Sequence, residues 1–111
     1  MVTRGWVPDE GDIIWIDLDT QVGHEQAGHR PALVLSPAAY NGPTGLLICV
    51  PLTTRPKGYR FGVPIAGKPG GVALSEQLKS FDWRARRATR KGSASQAELE
   101  AVRMRARQLV G

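Results

Sequence analysis

Apolar residues in this chain gather in short clusters separated by polar stretches carrying Gly and Pro, and only the last cluster has helical spacing. Asp12-Ile-Ile-Trp-Ile-Asp-Leu18 follows Pro8 and Gly11. Its β-branched and aromatic content predicts a first strand. Residues 19–29 are a polar loop with Gly23 and Gly28, and 30–36 a second strand whose proline stands near its start, where a missing N–H is tolerated. Residues 37–42 predict a single helical turn ended by Asn41-Gly42. The nearly continuous apolar run 45–53 predicts a strand buried on both faces. After a loop at 54–59, residues 60–66 and 71–75 predict short strands joined by Lys68-Pro-Gly-Gly71, and 78–83 predicts another. Ser95-Gln-Ala-Glu98 is a capping-box pattern. Leu99, Val102, Ala106 and Leu109 then form one apolar stripe, so a C-terminal amphipathic helix is expected, with Arg103, Arg105 and Arg107 mostly off the stripe. Many short strands followed by one helix predict a small barrel, with residues 1–111 as a single domain.

Charge sharpens this picture. The formal charge is +5. Residues 84–111 hold eight Arg or Lys against two Glu, net +6, whereas residues 1–83 hold seven against eight Asp or Glu, net −1. A basic end on a near-neutral body points to an anionic partner, nucleic acid first, with a solvated basic face as the plain alternative. Cys49 is the only cysteine, so no intrachain disulfide can form, and with two histidines zinc has too few of its preferred ligands. No phosphate-binding glycine loop, dinucleotide pattern or Gly-x-Ser-x-Gly occurs. No leader and no run of about 18 apolar residues is present, which predicts a soluble, cytoplasmic protein without membrane contact.

Three stretches could carry chemistry. His24-Glu-Gln-Ala-Gly-His-Arg-Pro31 packs acid, imidazole and guanidinium into one loop. There Glu25 is a candidate general base and Arg30 a candidate phosphate clamp; an ordinary salt-bridge loop is the alternative. Val50-Pro-Leu-Thr-Thr-Arg-Pro-Lys57 offers Thr53 to a phosphate oxygen and Lys57 to a backbone charge, unless it is a plain polar turn. Alternation in residues 77–83 puts Gln77, Lys79 and Phe81 on one face, as suits a strand that stacks bases and tracks a backbone, or one that merely covers the core. Asp17 and Asp19 could pair on Mg²⁺, but solvated strand-end carboxylates are the simpler reading.

With these residues laid out, the chain resembles the MazF/PemK family of toxin endoribonucleases over nearly its whole length. The resemblance runs through Gly11–Asp19, Glu25–Pro37, Cys49–Thr54 with Lys57-Gly-Tyr59, Gly71–Leu74, Gln77–Ser80 and Trp83–Arg86. It implies a mainly β, SH3-like, partly open barrel with a C-terminal helix, a homodimer, and sequence-specific cleavage of single-stranded RNA without metal or cofactor. It assigns the family's catalytic glutamate, arginine and threonine to Glu25, Arg30 and Thr53. Lys57 is similar to the family's RNA-binding lysine, and Lys79 and Arg86 to basic positions along its groove; Asp17, His29 and Gln77 complete the expected RNA-binding set. A MazE-like antitoxin with an acidic flexible tail is the implied partner. The Asp19–His24 loop and the short Lys68–Gly71 turn depart from the family pattern, so the cleaved sequence does not carry over.

RNA brings its own nucleophile, the 2′-OH, so the implied reaction gives a 2′,3′-cyclic phosphate and a 5′-OH. An ordinary glutamate titrates near ~4.3 and a guanidinium keeps its proton, so neither matches the neutral pH at which acid–base catalysis works best. Arg30 is therefore read as an electrostatic stabiliser. A rival scheme uses His24 and His29, since imidazoles ordinarily titrate near ~6.5; of the two, only His29 lies in the family motif. The competing function classes are a gyrase poison like CcdB, built on a similar fold, and a plain nucleic-acid-binding barrel.

Overall fold

The computed structural model describes residues 5–19, 28–54, 61–66 and 70–111. Three strands make its centre: β1 (Asp12–Asp19), β2 (Gly28–Val34) and β3 (Leu46–Thr53). Successive side chains of a strand point to opposite faces. Ile13, Leu33, Val50 and Leu52 therefore enter one apolar cluster, while Ile14, Ile16, Ala32, Val34, Leu47 and Cys49 enter another that includes Trp83. Both faces of this sheet are buried, which is why its strands read as nearly unbroken apolar runs.

All pairings are antiparallel. One edge of β3 pairs with β2; the other is shared by β6 (Lys79–Asp82) along Leu46–Cys49 and by β5 (Gly71–Leu74) along Leu52–Thr53. β4 (Gly62–Ile65) extends β5, and β7 (Thr89–Ser93) extends β1. The order β4-β5-β3-β2-β1-β7, with β6 also on β3, curls into the expected SH3-like, partly open barrel.

Three local expectations need correction. The helical turn at 37–42 is a longer helix, α1 (Ala38–Thr44), running through Asn41-Gly42. Asn41 does not stop it because its amide is buried, not turned back on its own backbone. The amide donates to Pro8 O at 2.7 Å and Ser36 O at 3.0 Å and accepts from Ser36 Oγ at 2.7 Å. The stop comes at Gly45, whose φ of 76° is left-handed and whose N–H bonds Asn41 O. In β3, burial on both faces holds at Cys49 and Val50 but not at Leu46, which is exposed, or Ile48, which is half-buried. Finally, β7 was not foreseen: Thr-Arg-Lys-Gly-Ser has no apolar alternation, and it is ordered by backbone pairing with β1.

Helix α2 (Gln96–Val110) starts on the predicted capping box: Ser95 Oγ accepts from Glu98 N–H and the Glu98 carboxylate accepts from Ser95 N–H. Leu99 and Val102 are buried in the core, each contributing about 1.5–3 kcal/mol, but Leu109 is exposed, so only the first half of the stripe packs inward. Arg103 is not a solvated cation: its guanidinium donates to Glu10 Oε1 at 2.6 Å and Leu35 O at 2.8 Å, tying α2 to the residues just before β1 and just after β2. Among the described residues no helix is long and apolar enough to cross a membrane.

Two stability predictions follow from these contacts. The N–H groups of Ala66 and then Ser95 hold the Glu98 carboxyl below its ordinary range. A lowered folded-state pKa stabilises above the unfolded value, and that contribution disappears as pH falls through the folded one. Glu98→Gln should cost about 0.5–1 kcal/mol in urea melts at neutral pH, with the gap to the parent closing in acid. Asn41→Ala leaves three buried groups without their partner, each costing about 1–3 kcal/mol, so its urea midpoint should fall by the equivalent of roughly 3 kcal/mol or more.

Candidate functional site

A groove of about 760 Å³ opens where β2 and β3 leave the doubly buried centre. β2 contributes His29, Arg30 and Pro31; β3 contributes Pro51, Thr53 and, at the floor, Cys49; Gln77, Lys79 and Phe81 come from β6 and the turn before it; Trp15 comes from β1. The β2–β3 ladder reaches Ala32↔Pro51, and Arg30 and Thr53 lie two residues beyond that pair on the two strands. Gly71 keeps that corner compact. Its φ is +114°, and a Cβ there would stand 2.6 Å from Thr53 O, so any side chain would push β5 off the Thr53 backbone. Gln77, Lys79 and Phe81, expected on one face of a strand, all line the groove.

Asp17 and Arg86 do not line it; they build its wall. Asp17 and His29 are cross-strand partners, and His29 Nε2 lies 3.1 Å from Asp17 Oδ1, which orients the imidazole. Arg86 is half-buried, donates from Nη1 to Asp17 O at 2.9 Å, and lies 4.4 Å over the Phe81 ring. Asp17 N–H donates in turn to Arg86 O. The turn after Trp83 is closed by bonds from Arg87 N–H to Arg84 O and from Ala88 N–H to Trp83 O. Arg87 sits in it at φ 58°, a left-handed conformation costing a non-glycine residue roughly 1 kcal/mol, with its Nε 3.9 Å from Asp17 Oδ2.

Burial pushes the Cys49 thiol up to about 12, with Lys79 pulling in the opposite sense, so the sulfur at the groove floor stays protonated and is no nucleophile at neutral pH. Among the described residues neither Arg30 nor Lys79 has a carboxylate partner. Two cations, a hydroxyl, an amide and an oriented imidazole fit a phosphodiester, and Trp15 and Phe81 add faces on which a base can stack. Glu25, His24, Lys57 and the Asp19 side chain lie outside the described residues. Trp15 lines the groove with Pro31, Pro51, Leu52 and Leu74, none of them a candidate on the sequence, and it is the aromatic one. Its signal was position: a large aromatic two residues before Asp17 shares that residue's side of an alternating strand.

Residues 9–110 match the model of the PemK-like, MazF-like toxins of type II toxin–antitoxin systems. The chain is 53% identical over 112 residues to the endoribonuclease toxin MazF of Escherichia coli strain K12, with both chains covered completely. It is similar to the crystal structure of MazF from Deinococcus radiodurans, with 47% identity, 96% of this chain and 99% of that one covered, and a TM-score of 0.86. It is also similar to the crystal structure of MazE-MazF from the same organism, with 44% identity, coverage of 96% and 98%, and a TM-score of 0.87. Matched along nearly its whole length in sequence and in fold, the chain belongs to the PemK-like, MazF-like family of type II toxins.

Proposed function

We propose that this chain is an endoribonuclease, the toxin of a type II toxin–antitoxin system, cutting single-stranded RNA at a short sequence and held in check by a MazE-like antitoxin. The observation that carries the reading is the shared groove: Arg30 and Thr53, from paired strands, line it together with Gln77 and Lys79 in a chain of this family.

In the proposed reaction Glu25 takes the proton of the 2′-OH. The O2′–P bond forms as the P–O5′ bond breaks, and the departing 5′-oxygen takes a proton from water, leaving a 2′,3′-cyclic phosphate and a 5′-OH. Arg30 stabilises the extra negative charge on the phosphorane through hydrogen bonds that strengthen as the charge develops, and Thr53 adds one more to a phosphate oxygen. Lys57 and Lys79 neutralise neighbouring phosphates and Gln77 contacts a base. Asp17, His29 and Arg86 shape the wall that the RNA runs along. No step is assigned to a metal or cofactor. An antitoxin tail rich in carboxylates would compete for the same cations. A homodimer and a cytoplasmic location, where messenger RNA is met, complete the proposal.

The Asp17–His29 pair favours a second scheme, in which His29 serves as acid or base in an orientation fixed by the carboxylate. The pH–rate profile separates the two: a limb near neutrality that disappears in His29→Ala would replace Glu25 by the histidine.

The decisive measurement is incubation of a long single-stranded RNA in EDTA followed by end-group analysis. Cyclic phosphate and 5′-OH ends are expected, with no cut where a 2′-OH is replaced by hydrogen. Cleavage that requires Mg²⁺ would refute the mechanism, and intact RNA would leave a gyrase poison or a plain RNA binder. Arg30→Ala should lower single-turnover cleavage by roughly 10²–10³-fold, as removal of a charge-stabilising donor does, and Thr53→Val by less, with both variants keeping the parent's circular dichroism.

A further inference from the structure

We propose that the RNA path does not end at the groove but continues across Trp15 onto β7, where Lys91 holds a phosphate of the flanking chain. This rests on reading the groove as an RNA site.

Strand β7 is irregular. Ile13 pairs with Gly92 and Ile14 with Arg90, which leaves Lys91 as one extra residue on its strand, a β-bulge. Bulges bend a strand and re-aim a side chain, and they are frequent beside functional sites. Here the two neighbouring cations part company. Arg90 turns to Asp12, with Nε 3.2 Å from Oδ1. Lys91 turns instead to Trp15, with Nζ 5.8 Å from the ring centroid. Trp15 also lines the groove with His29 and Arg30, so one indole connects the groove to the ammonium beyond it.

Charge sets Lys91 apart further. Arg87, Arg90, Arg103 and Arg107 each have a carboxylate within 4.0 Å; among the described residues Lys91, Arg84 and Arg105 have none, and of these three only Lys91 lies against a groove-lining ring, since Arg84 covers Trp83. Its side chain is exposed, and an aromatic contact at that distance restrains it only weakly. An aromatic face flanked by an uncompensated cation is how proteins hold one base of a single strand and the phosphate next to it. A lysine on an edge strand can also serve only to block pairing with another sheet. That role needs no particular aim, and this lysine is aimed by a bulge at a groove-lining ring.

The test compares Lys91→Gln, Lys91→Arg and Arg105→Gln across a salt series. Arg105 lies on α2 outside the groove lining and removes the same unit of charge elsewhere. Affinity is read by fluorescence anisotropy with a 2′-O-methyl RNA that cannot be cut, and KM and kcat with the cleavable RNA. Lys91→Gln should weaken binding several-fold, raise KM more than it lowers kcat, and reduce the slope of log affinity against log salt by about 0.7, one phosphate of a single strand. Lys91→Arg should restore the slope, and Arg105→Gln should keep it. An unchanged slope in Lys91→Gln, or an equal fall in Arg105→Gln, overturns the proposal. Because binding is read on uncleavable RNA, a parent that binds with the Lys91 dependence but cuts nothing would refute the nuclease reading alone.

Discussion

The register between β2 and β3 is the constraint on which the rest of the structure depends. Because side chains alternate, a slip of one residue would turn every apolar residue of a strand to the wrong face. Ala32, Leu33 and Val34 each have a fixed partner in Pro51, Val50 and Cys49, and each belongs to a buried layer on one side of the sheet or the other. The cost of exposing both layers locks the pairing. The same lock fixes what lies just past the buried part: Arg30 and Thr53 stand two residues beyond the last pair on the two strands, and both line the groove. A site assembled from two strand ends in this way needs no deep cavity. That suits a chain of 111 residues, whose core is modest.

Electrostatics then sorts the cations. The net +6 of residues 84–111 suggests a broad basic surface. In the fold much of that charge has a local task. Arg103 joins α2 to Glu10 and Leu35 O, Arg90 is held by Asp12, Arg86 braces Phe81 against Asp17, and Arg84 lies 4.3 Å over Trp83. The cations that face outward without a carboxylate among the described residues include Arg30 and Lys79, in the groove. The groove thus carries two cations contributed by residues 1–83, which the linear distribution of Arg and Lys does not convey.

What the sequence made legible follows from which interactions are local. The capping box of α2 is local, and it is found as written, Ser95 with Glu98. The three central strands are legible because burial on both faces leaves an apolar run that few other structures produce. The helix α1 was read too short, since Asn41-Gly42 is a common stop signal and nothing nearby reveals that Asn41 bonds Pro8 O, far back in the chain. β7 was invisible because an edge strand held by backbone bonds needs no apolar side chains. In the site, alternation groups Gln77, Lys79 and Phe81, which all line the groove, and the chemistry of their stretches and then the family pattern single out Arg30 and Thr53. Their meeting depends on a pairing between strands that no single stretch encodes. The wall roles of Asp17 and Arg86 were not readable at all, because each acts through a residue distant in sequence.

That wall explains an otherwise costly choice. A left-handed residue ends the turn after Trp83, and glycine would adopt that conformation freely, yet Arg87 occupies it. The turn carries Arg86, whose side chain and carbonyl both grip Asp17, and Asp17 in turn orients His29 at the groove. Arg87 adds a guanidinium at 3.9 Å from the other oxygen of the same carboxylate. With His29 on one oxygen and Arg87 near the other, both oxygens of the Asp17 carboxylate have neighbours outside the groove, where the group would repel a phosphate. The turn that holds Arg87 in this conformation thereby helps keep Asp17, among the described residues the carboxylate of this wall, out of the groove lining.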